Sequence, residues 1–464
     1  MIVTQQANYP KTYEIEHLVK LFIPFINEPH ILFLDNDTKK AQLTIGLYRD
    51  AILQENLIEQ QIISDTTNKV AIKSCIYQIL NRYTNKSMPW GVLTGIRPTK
   101  LVHQFKNKSY NKEEIHTTLL NNYHISQAKV ELLTQVADAE YEILKNNTSN
   151  EISIYIGIPF CPTQCIYCSF GSSTIAQKKT VVPNYLVALY KEIKEIAKHI
   201  QNKYVVNTIY IGGGTPTSLN EEQFHNLLSI VNENFDIKNV VEFTVEAGRP
   251  DTITHQKLID MKKFGVNRIS INPQTMNQDT LNKIGRNHSV EQIQTAFLMA
   301  REVGHQIINM DIILGLPNET LADVQNTLEE IVKLQPENIT IHTMAIKRAS
   351  ALGNTTNLLQ SKNIEQMVNY SQKLMHTNNF SPYYMYRQKN ILGNFENVGY
   401  SKNNYHSIYN IQIIAEQQTI IGFGAGSVSK IVGGAKIKRI PNVKGIEEYI
   451  VRIEEMIQNK MNVI

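Results

Sequence analysis

Cysteine is scarce in this chain: there are four in 464 residues, and three of them crowd into residues 161–168. So few, so placed, cannot build the disulfide framework of a small secreted domain. Tryptophan occurs once, as Trp90. No apolar run approaches the roughly 18 residues of a membrane helix, so no membrane span is expected. The opening MIVTQQANYPKTYEIEH lacks the charged head and apolar core of a secretory signal. Charge of one sign is not in excess either. With 46 basic and 42 acidic side chains the formal net charge is +4, too mild to argue for a nucleic-acid partner. Repeats and low-complexity tracts are missing. At 42% hydrophobic and 19% charged residues, the chain reads as a globular protein of a reducing cytoplasm, long enough for two or three domains.

The three crowded cysteines organise what is present. The apolar run ISIYIGIPF delivers Cys161, Cys165 and Cys168 on a loop at the spacing C-x-x-x-C-x-x-C, followed by a Ser/Gly-rich exit. Thiolates this close suit zinc or an iron–sulfur cluster. A structural zinc site wants four ligands, and no second Cys or Cys/His pair follows at finger-like spacing. Three ligands leave a metal position open for chemistry. Cys75 shares the apolar face of an expected helix with Ile76, Ile79, Leu80 and Tyr83, so it reads as a buried small apolar residue instead of a fourth ligand.

Around that loop the chain divides into three parts. Residues 1–150 form an α+β accessory domain: a helical rhythm over 13–25, a hairpin from HILFLDN and AQLTIGLY, and a helix over 69–83. The loop PWGVLTGIRPTKL then enters a further helix, and a long helix over 126–147 ends at the linker NNTSN. Over 151–350, six strand signals alternate with amphipathic helices near 184–200, 221–235, 254–264, 290–303 and 321–334. Asn220 with Gln223, and Asn277, stand where N-caps belong. The pattern implies an α/β fold with a parallel sheet, either a partial (β/α)6 barrel or a doubly wound sheet. Residues 351–464 add a helix, a Tyr-rich strand, glycine-containing stretches and a closing helix, a C-terminal α/β extension.

In barrels the working residues gather at the C-terminal ends of the strands. The candidates there are Tyr155 beside the cysteine loop, the triplet in GGGTPT with Gly213, Gly214 and Thr215, Glu246 in TVEAGRP, Gln274 in SINPQT, and Asp311 inside the apolar run NMDIILGL. Arg286 follows Gln274 by twelve residues and can hold a carboxylate bidentately. An acid such as Asp311 is costly to bury unless hydrogen-bonded, so it argues for a polar ligand.

The cysteine spacing, with Tyr167 before the last Cys, resembles the radical SAM signature. That resemblance implies a partial (β/α)6 barrel, with Cys161, Cys165 and Cys168 holding three irons of a [4Fe–4S] cluster and S-adenosylmethionine (SAM) on the fourth. It implies that Tyr155, Gly213, Gly214, Thr215, Glu246, Gln274, Arg286 and Asp311 bind SAM. Taken whole, the chain resembles the oxygen-independent coproporphyrinogen III oxidases, most of all their HemZ-type branch, through YIGIPFCPTQCIYCSF, TVEAGRPDTI, HTMAIKRAS, GNFENVGY, GFGAGSVSK and WGVLTGIRPTKL. The implied partners are a tetrapyrrole (coproporphyrinogen III or haem) and an external one-electron donor such as flavodoxin or ferredoxin. Residues 351–464 would lie on the substrate side, with Lys347, Arg348, Arg387 and Lys389 as candidates to pair with propionates. Two positions depart from the established oxidases: Gly157 and Phe170 stand where those carry His and Cys. A haem chaperone of the same superfamily also has Phe there, so the alternatives to porphyrinogen decarboxylation are haem trafficking and radical chemistry on another tetrapyrrole.

Overall fold

In a computed structural model of the chain, residues 2–7, 13–23, 30–37, 42–49, 57–64, 67–168, 171–346, 361–434 and 436–464 are described. They form two compact units, residues 1–137 and 138–464.

In the first unit, Ile2–Ala7 pairs parallel with His30–Asp37, which runs antiparallel to Gln42–Arg49 and through it to Leu57–Ile63. The hairpin expected from HILFLDN and AQLTIGLY forms, its turn lying outside the described residues. The helices Tyr13–Phe22 and Lys69–Thr84 bring Leu18, Phe22, Ile76, Ile79 and Leu80 against Leu32, Leu43 and Ile45 of the strands. Cys75 belongs to this core, and burial pushes its thiol up to about 12. Trp90 is fully buried in the turn before the helix Thr99–Asn107. The helix Gln127–Leu144 carries the chain across into the second unit.

The second unit is built on β1 (Glu151–Ile158), β2 (Val205–Gly213), β3 (Glu242–Gly248), β4 (Arg268–Ile271), β5 (Ile307–Leu314) and β6 (Asn338–Thr343). These six lie side by side, all parallel, in the order of the sequence. The crossovers carry the helices α1 (Val182–Ile200), α2 (Glu221–Asn234), α3 (His255–Lys263), α4 (Val290–Val303) and α5 (Leu321–Leu334). This is an open (β/α)6 barrel. Buried Ile, Val, Leu and Phe side chains of strands and helices form its core, while a cavity of about 270 Å³ lies against Thr244, Arg268, Ser270, Asn309 and Thr340 of β3–β6. The helices start where their caps stand: Asn220, Ser289 and Thr320 each form a capping box, and Asn277 accepts from the Thr280 amide. Each cap contributes about 1 kcal/mol. α1 begins two residues before its apolar rhythm because Pro183 fits the first turn.

A closed barrel would join β1 to β6; here both edges are extended outward by the C-terminal segment. β7 (Ser381–Tyr386) pairs antiparallel with β8 (Asn397–Ser401), which itself adds antiparallel at β6. β9 (Thr419–Phe423) adds parallel at β1, followed by β10 (Val428–Ile431) and β11 (Lys438–Pro441). The closing helix Ile453–Met461 is anchored by Lys460, which pairs with Glu192 of α1, both fully buried. Glu192 also accepts from the Gly424 amide at 2.9 Å, Asn442 at 2.9 Å and the Tyr449 hydroxyl at 2.6 Å. So complete a hydrogen-bond set offsets the desolvation of the charged pair.

The N-terminal ends of the strands are sealed. Glu242, at the start of β3, takes the Arg268 guanidinium at 3.2 Å, the Ser407 hydroxyl at 2.9 Å and the amides of Ile408 and Tyr409 at 2.9 and 3.1 Å. Arg268 also donates to Asn338 and to the carbonyls of Tyr405 and His406. Glu242 thus caps the short helix Ile408–Ala415 while binding it to the barrel floor.

Candidate active site at the strand ends

At the opposite end of the strands lies a cavity of about 260 Å³. β1 delivers the cysteine loop, and Cys161, Cys165 and Cys168 all line it. The loop is pinned to the segment after β4: Thr163 donates to the Gly285 carbonyl at 2.6 Å, and the Ile166 amide to Ile284 at 3.2 Å. Phe160, fully buried and edge-on to Tyr185, belongs to the core.

β2 ends on Gly213, and Gly214 follows it. Gly213 has φ near +107°, and a Cβ on Gly214 would stand 2.5 Å from the Phe160 carbonyl and 3.0 Å from the Cys161 sulfur. Only glycine fits there. The amides of Gly213, Gly214 and Thr215 are engaged by Glu246, Ile158 and Phe160. The segment therefore has no backbone amide to spare for an anion. The Thr215 hydroxyl reaches the Cys161 sulfur at 3.5 Å.

Glu246 of β3 accepts from the Tyr210 hydroxyl and from the Gly213 amide at 3.2 Å. Burial pushes its carboxyl up to about 7; Tyr210 opposes this and the Asp311 charge adds to it. Gln274 follows β4 in a left-handed conformation, φ +67°, held by a bridge in which its amide donates to the Asp311 carbonyl and its carbonyl accepts from Ile313. A non-glycine residue so placed stores strain of the kind found at ligand clamps. Asp311 of β5 accepts from Asn309 at 2.7 Å, with the His342 ring 3.7 Å away. Burial raises its pKa, but the hydrogen bond and charge of His342 outweigh that and keep it low. Arg286 is buried, donates to the Asn272 carbonyl at 2.6 Å and the Tyr167 hydroxyl at 3.3 Å, and leaves its Nε without a partner.

Of the residues singled out in the sequence, the three cysteines and Gly213, Gly214, Thr215, Glu246, Gln274, Arg286 and Asp311 share this one cavity. Tyr155 stands behind its wall: its ring stacks with Tyr210 and Tyr409 at centroid distances of 6.2 and 6.3 Å, and its hydroxyl lies 3.4 Å from where a Gly213 Cβ would be. The cations fare differently. Arg387 is buried and donates to Asn394, Lys389 is exposed, and neither lines the cavity. Lys347, Arg348 and Phe170 lie outside the described residues. A Cβ on Gly157 would meet only ordinary contacts, the nearest at 3.4 Å. The sequence reading missed Arg249, Asn272, His342 and Tyr386, which also line the cavity. Arg249 had a signal, a cation directly after β3; His342 and Tyr386 had none beyond their place at strand ends.

A model of the radical SAM superfamily matches residues 155–331. Over 413 residues the chain is 41% identical to the oxygen-independent coproporphyrinogen-III oxidase-like protein HemZ of Bacillus subtilis, spanning 86% of this chain and 82% of that one. The chain belongs to this family. It is also 33% identical to the heme chaperone HemW of Bacillus subtilis, across 65% of this chain and 76% of the relative. The crystallised coproporphyrinogen III oxidase HemN of Escherichia coli, a radical SAM enzyme, shares the fold at a TM-score of 0.55 and 22% identity, covering 69% of this chain and 72% of that one.

The family's cofactors are a [4Fe–4S] cluster and SAM, and the residues present fit both. Among the described residues no three His, Cys, Asp or Glu side chains are disposed to hold one metal ion together; thiolates that each take a different iron need not converge on a point. One cavity offers the buried cation Arg286, with an Nε left unpartnered, the carboxylates Glu246 and Asp311, and a glycine edge at Gly213–Gly214, which together suit an amino acid carrying a nucleoside. No helix among the described residues is long and apolar enough to cross a membrane.

Proposed function

We propose that this protein is a radical SAM oxidoreductase acting on coproporphyrinogen III, converting propionate side chains to vinyls by oxidative decarboxylation. The observation that carries this reading is the single cavity joining three thiols to the polar residues of five successive strand ends. When bound, the cluster and SAM supply one-electron chemistry that removes hydrogen from an unactivated carbon. Cys161, Cys165 and Cys168 hold the cluster. The Gly213–Gly214 edge and Arg286 take the two charged ends of the methionine moiety, and Gln274 closes on the carboxylate beside Arg286. Glu246, with a carboxyl poised near neutrality, and Asp311, kept ionised beside His342, accept from ribose hydroxyls. His342, Tyr386 and Gln388 line the remaining wall, where a substrate would lie. Lys347 and Arg348 remain the candidates for propionate pairing. The electron comes from an external low-potential protein such as a flavodoxin or ferredoxin, because only Cys75 is left over and it is buried in apolar surroundings.

The test is anaerobic incubation of reconstituted protein with coproporphyrinogen III, SAM and a low-potential reductant, followed by mass spectrometry of the porphyrin pool. Loss of two carboxyl groups is the expected outcome. The similarity to the heme chaperone, and the Phe170 that such a chaperone shares, support a second reading as a haem-trafficking protein. Stoichiometric haem binding with an unchanged coproporphyrin mass would select it.

A further inference from the structure

Arg249 is the charged side chain nearest the cysteine loop that the roles above leave unused. It is 3% exposed. Its Nη1 lies 3.7 Å from the Cys165 sulfur, and its Nη2 donates to Thr163, in the same loop, at 3.0 Å. Nε and Nη2 also engage the two carboxylate oxygens of Asp251 at 3.1 and 3.3 Å. Asp251 in turn has His288 at 3.5 Å. The guanidinium is therefore fixed in position by a bidentate partner and presents one N–H edge to the sulfur.

A buried cation that donates to a ligand sulfur favours the state with more negative charge on the metal centre. Hydrogen bonds to sulfur, net charge and solvent exposure are the levers by which a protein moves an iron–sulfur potential, and low local dielectric magnifies them. We propose that Arg249, a positioning residue outside the ligand set, sets the reduction potential of the cluster through its hydrogen bond to Cys165, with Asp251 as the counter-charge that limits the effect. The inference rests on the assignment of Cys161, Cys165 and Cys168 as ligands. It brings the cluster within reach of a protein electron donor. Thr215, donating to Cys161 at 3.5 Å, acts in the same sense as a neutral and weaker partner.

The two charges make opposite predictions, which a role in loop anchoring alone does not. Anaerobically reconstituted wild type, Arg249→Met, Arg249→Lys and Asp251→Asn would be assayed for iron and sulfide and then titrated by EPR-monitored redox potentiometry without substrate. Arg249→Met should shift the reduction equilibrium about tenfold toward the oxidised cluster, about 59 mV for one electron. Arg249→Lys should shift it in the same direction by less. Asp251→Asn, which leaves the guanidinium uncompensated, should shift it the other way. Wild-type potentials in variants that keep their iron would overturn the proposal. So would loss of the cluster from both Arg249 variants, which would make Arg249 an anchor only. If Arg249→Met alone loses iron, the lysine variant decides: a potential below wild type supports the proposal and an equal one overturns it. A wild-type chain that takes up no cluster overturns the ligand assignment, and this inference with it; iron analysis before titration tells that failure from the others.

Discussion

The two ends of the barrel hold the same kinds of residue to opposite effect. At the floor, Glu242 and Arg268 are buried together and every stated donor and acceptor is answered from within the chain. At the rim, Glu246 is lifted to about 7, Arg286 keeps an idle Nε, and Gln274 sits at positive φ. Glu242 and Glu246 are four residues apart on one strand and face the same side of it. The difference teaches that a buried charge marks a ligand site only where the fold has left it incompletely satisfied. Where the partners are all supplied, the same charge is mortar.

The largest effect expected from this contrast is loss of the cluster. Cys161→Ala, Cys165→Ala or Cys168→Ala should bring iron from about four per chain to near zero after anaerobic reconstitution. Cys75→Ala, in the core of the other unit, should leave it intact. Iron lost from Cys75→Ala would undo the assignment of three ligands and an open fourth iron.

Stability should separate the two glutamates. Glu242→Ala strands Arg268 without its counter-ion and should cost about 3–5 kcal/mol, read as a lower urea midpoint. Glu246→Gln should do the reverse. In the folded chain Glu246 holds its proton up to about pH 7, whereas unfolded it ionises near 4.5. Below about 4.5 both states are protonated and the residue contributes nothing to the pH dependence. Between 4.5 and 7 only the unfolded state releases the proton, so stability falls as pH rises, and above 7 the full cost is present. The glutamine variant should therefore be the more stable by about 1–3 kcal/mol above pH 7, with the gap closing as pH falls. Its amide can face the Gly213 N–H with oxygen and the Tyr210 oxygen with nitrogen. Equal destabilisation of both variants would erase the distinction between rim and floor.

That distinction also bounds what the sequence made legible. The strand–helix alternation, the caps at Asn220 and Asn277, the cysteine loop and the rim set were readable, because each depends on local pattern or on the strand-end rule. The floor was not. Arg268 is satisfied by carbonyls of Tyr405 and His406, a pairing that depends on how the C-terminal segment returns to the barrel. The same long-range return hides Tyr386, whose hydroxyl meets His342 at 3.2 Å. Arg387, offered by the resemblance as a propionate partner, donates instead to Asn394 in a buried position, which chain order alone does not show. The periodicity of residues 151–350 alone left barrel and doubly wound sheet open, and strand order, a global property, chooses between them.

Arg286 should affect ligand affinity where Arg268 affects stability. Arg286→Lys keeps the charge but loses the planar fork, which serves the Asn272 carbonyl and the Tyr167 hydroxyl and has a buried Nε to spare. A charge-assisted hydrogen bond is worth about 1.5–3 kcal/mol, so the SAM Kd, measured by equilibrium dialysis on reconstituted protein, should rise roughly ten- to a hundredfold. Arg268→Lys, if it folds, should leave that Kd unchanged. A Kd that moved equally in both variants would mean that the floor shapes the rim and the two regions are not independent.

The smallest effect isolates backbone from side chain at Gln274. Its φ of +67° is a conformation that glycine adopts freely and other residues reach at about 1–2 kcal/mol, held by the bridge to Asp311 and Ile313. Gln274→Gly and Gln274→Ala both remove the amide that would face SAM, so both should weaken SAM binding to the same extent. They should differ in stability: the glycine variant relieves the strain and should exceed the alanine variant by about 1 kcal/mol in urea denaturation. Equal stabilities would show that the bridge carries no strain. Unequal SAM affinities would show that the backbone path, and not the side chain, is what Gln274 contributes to the site.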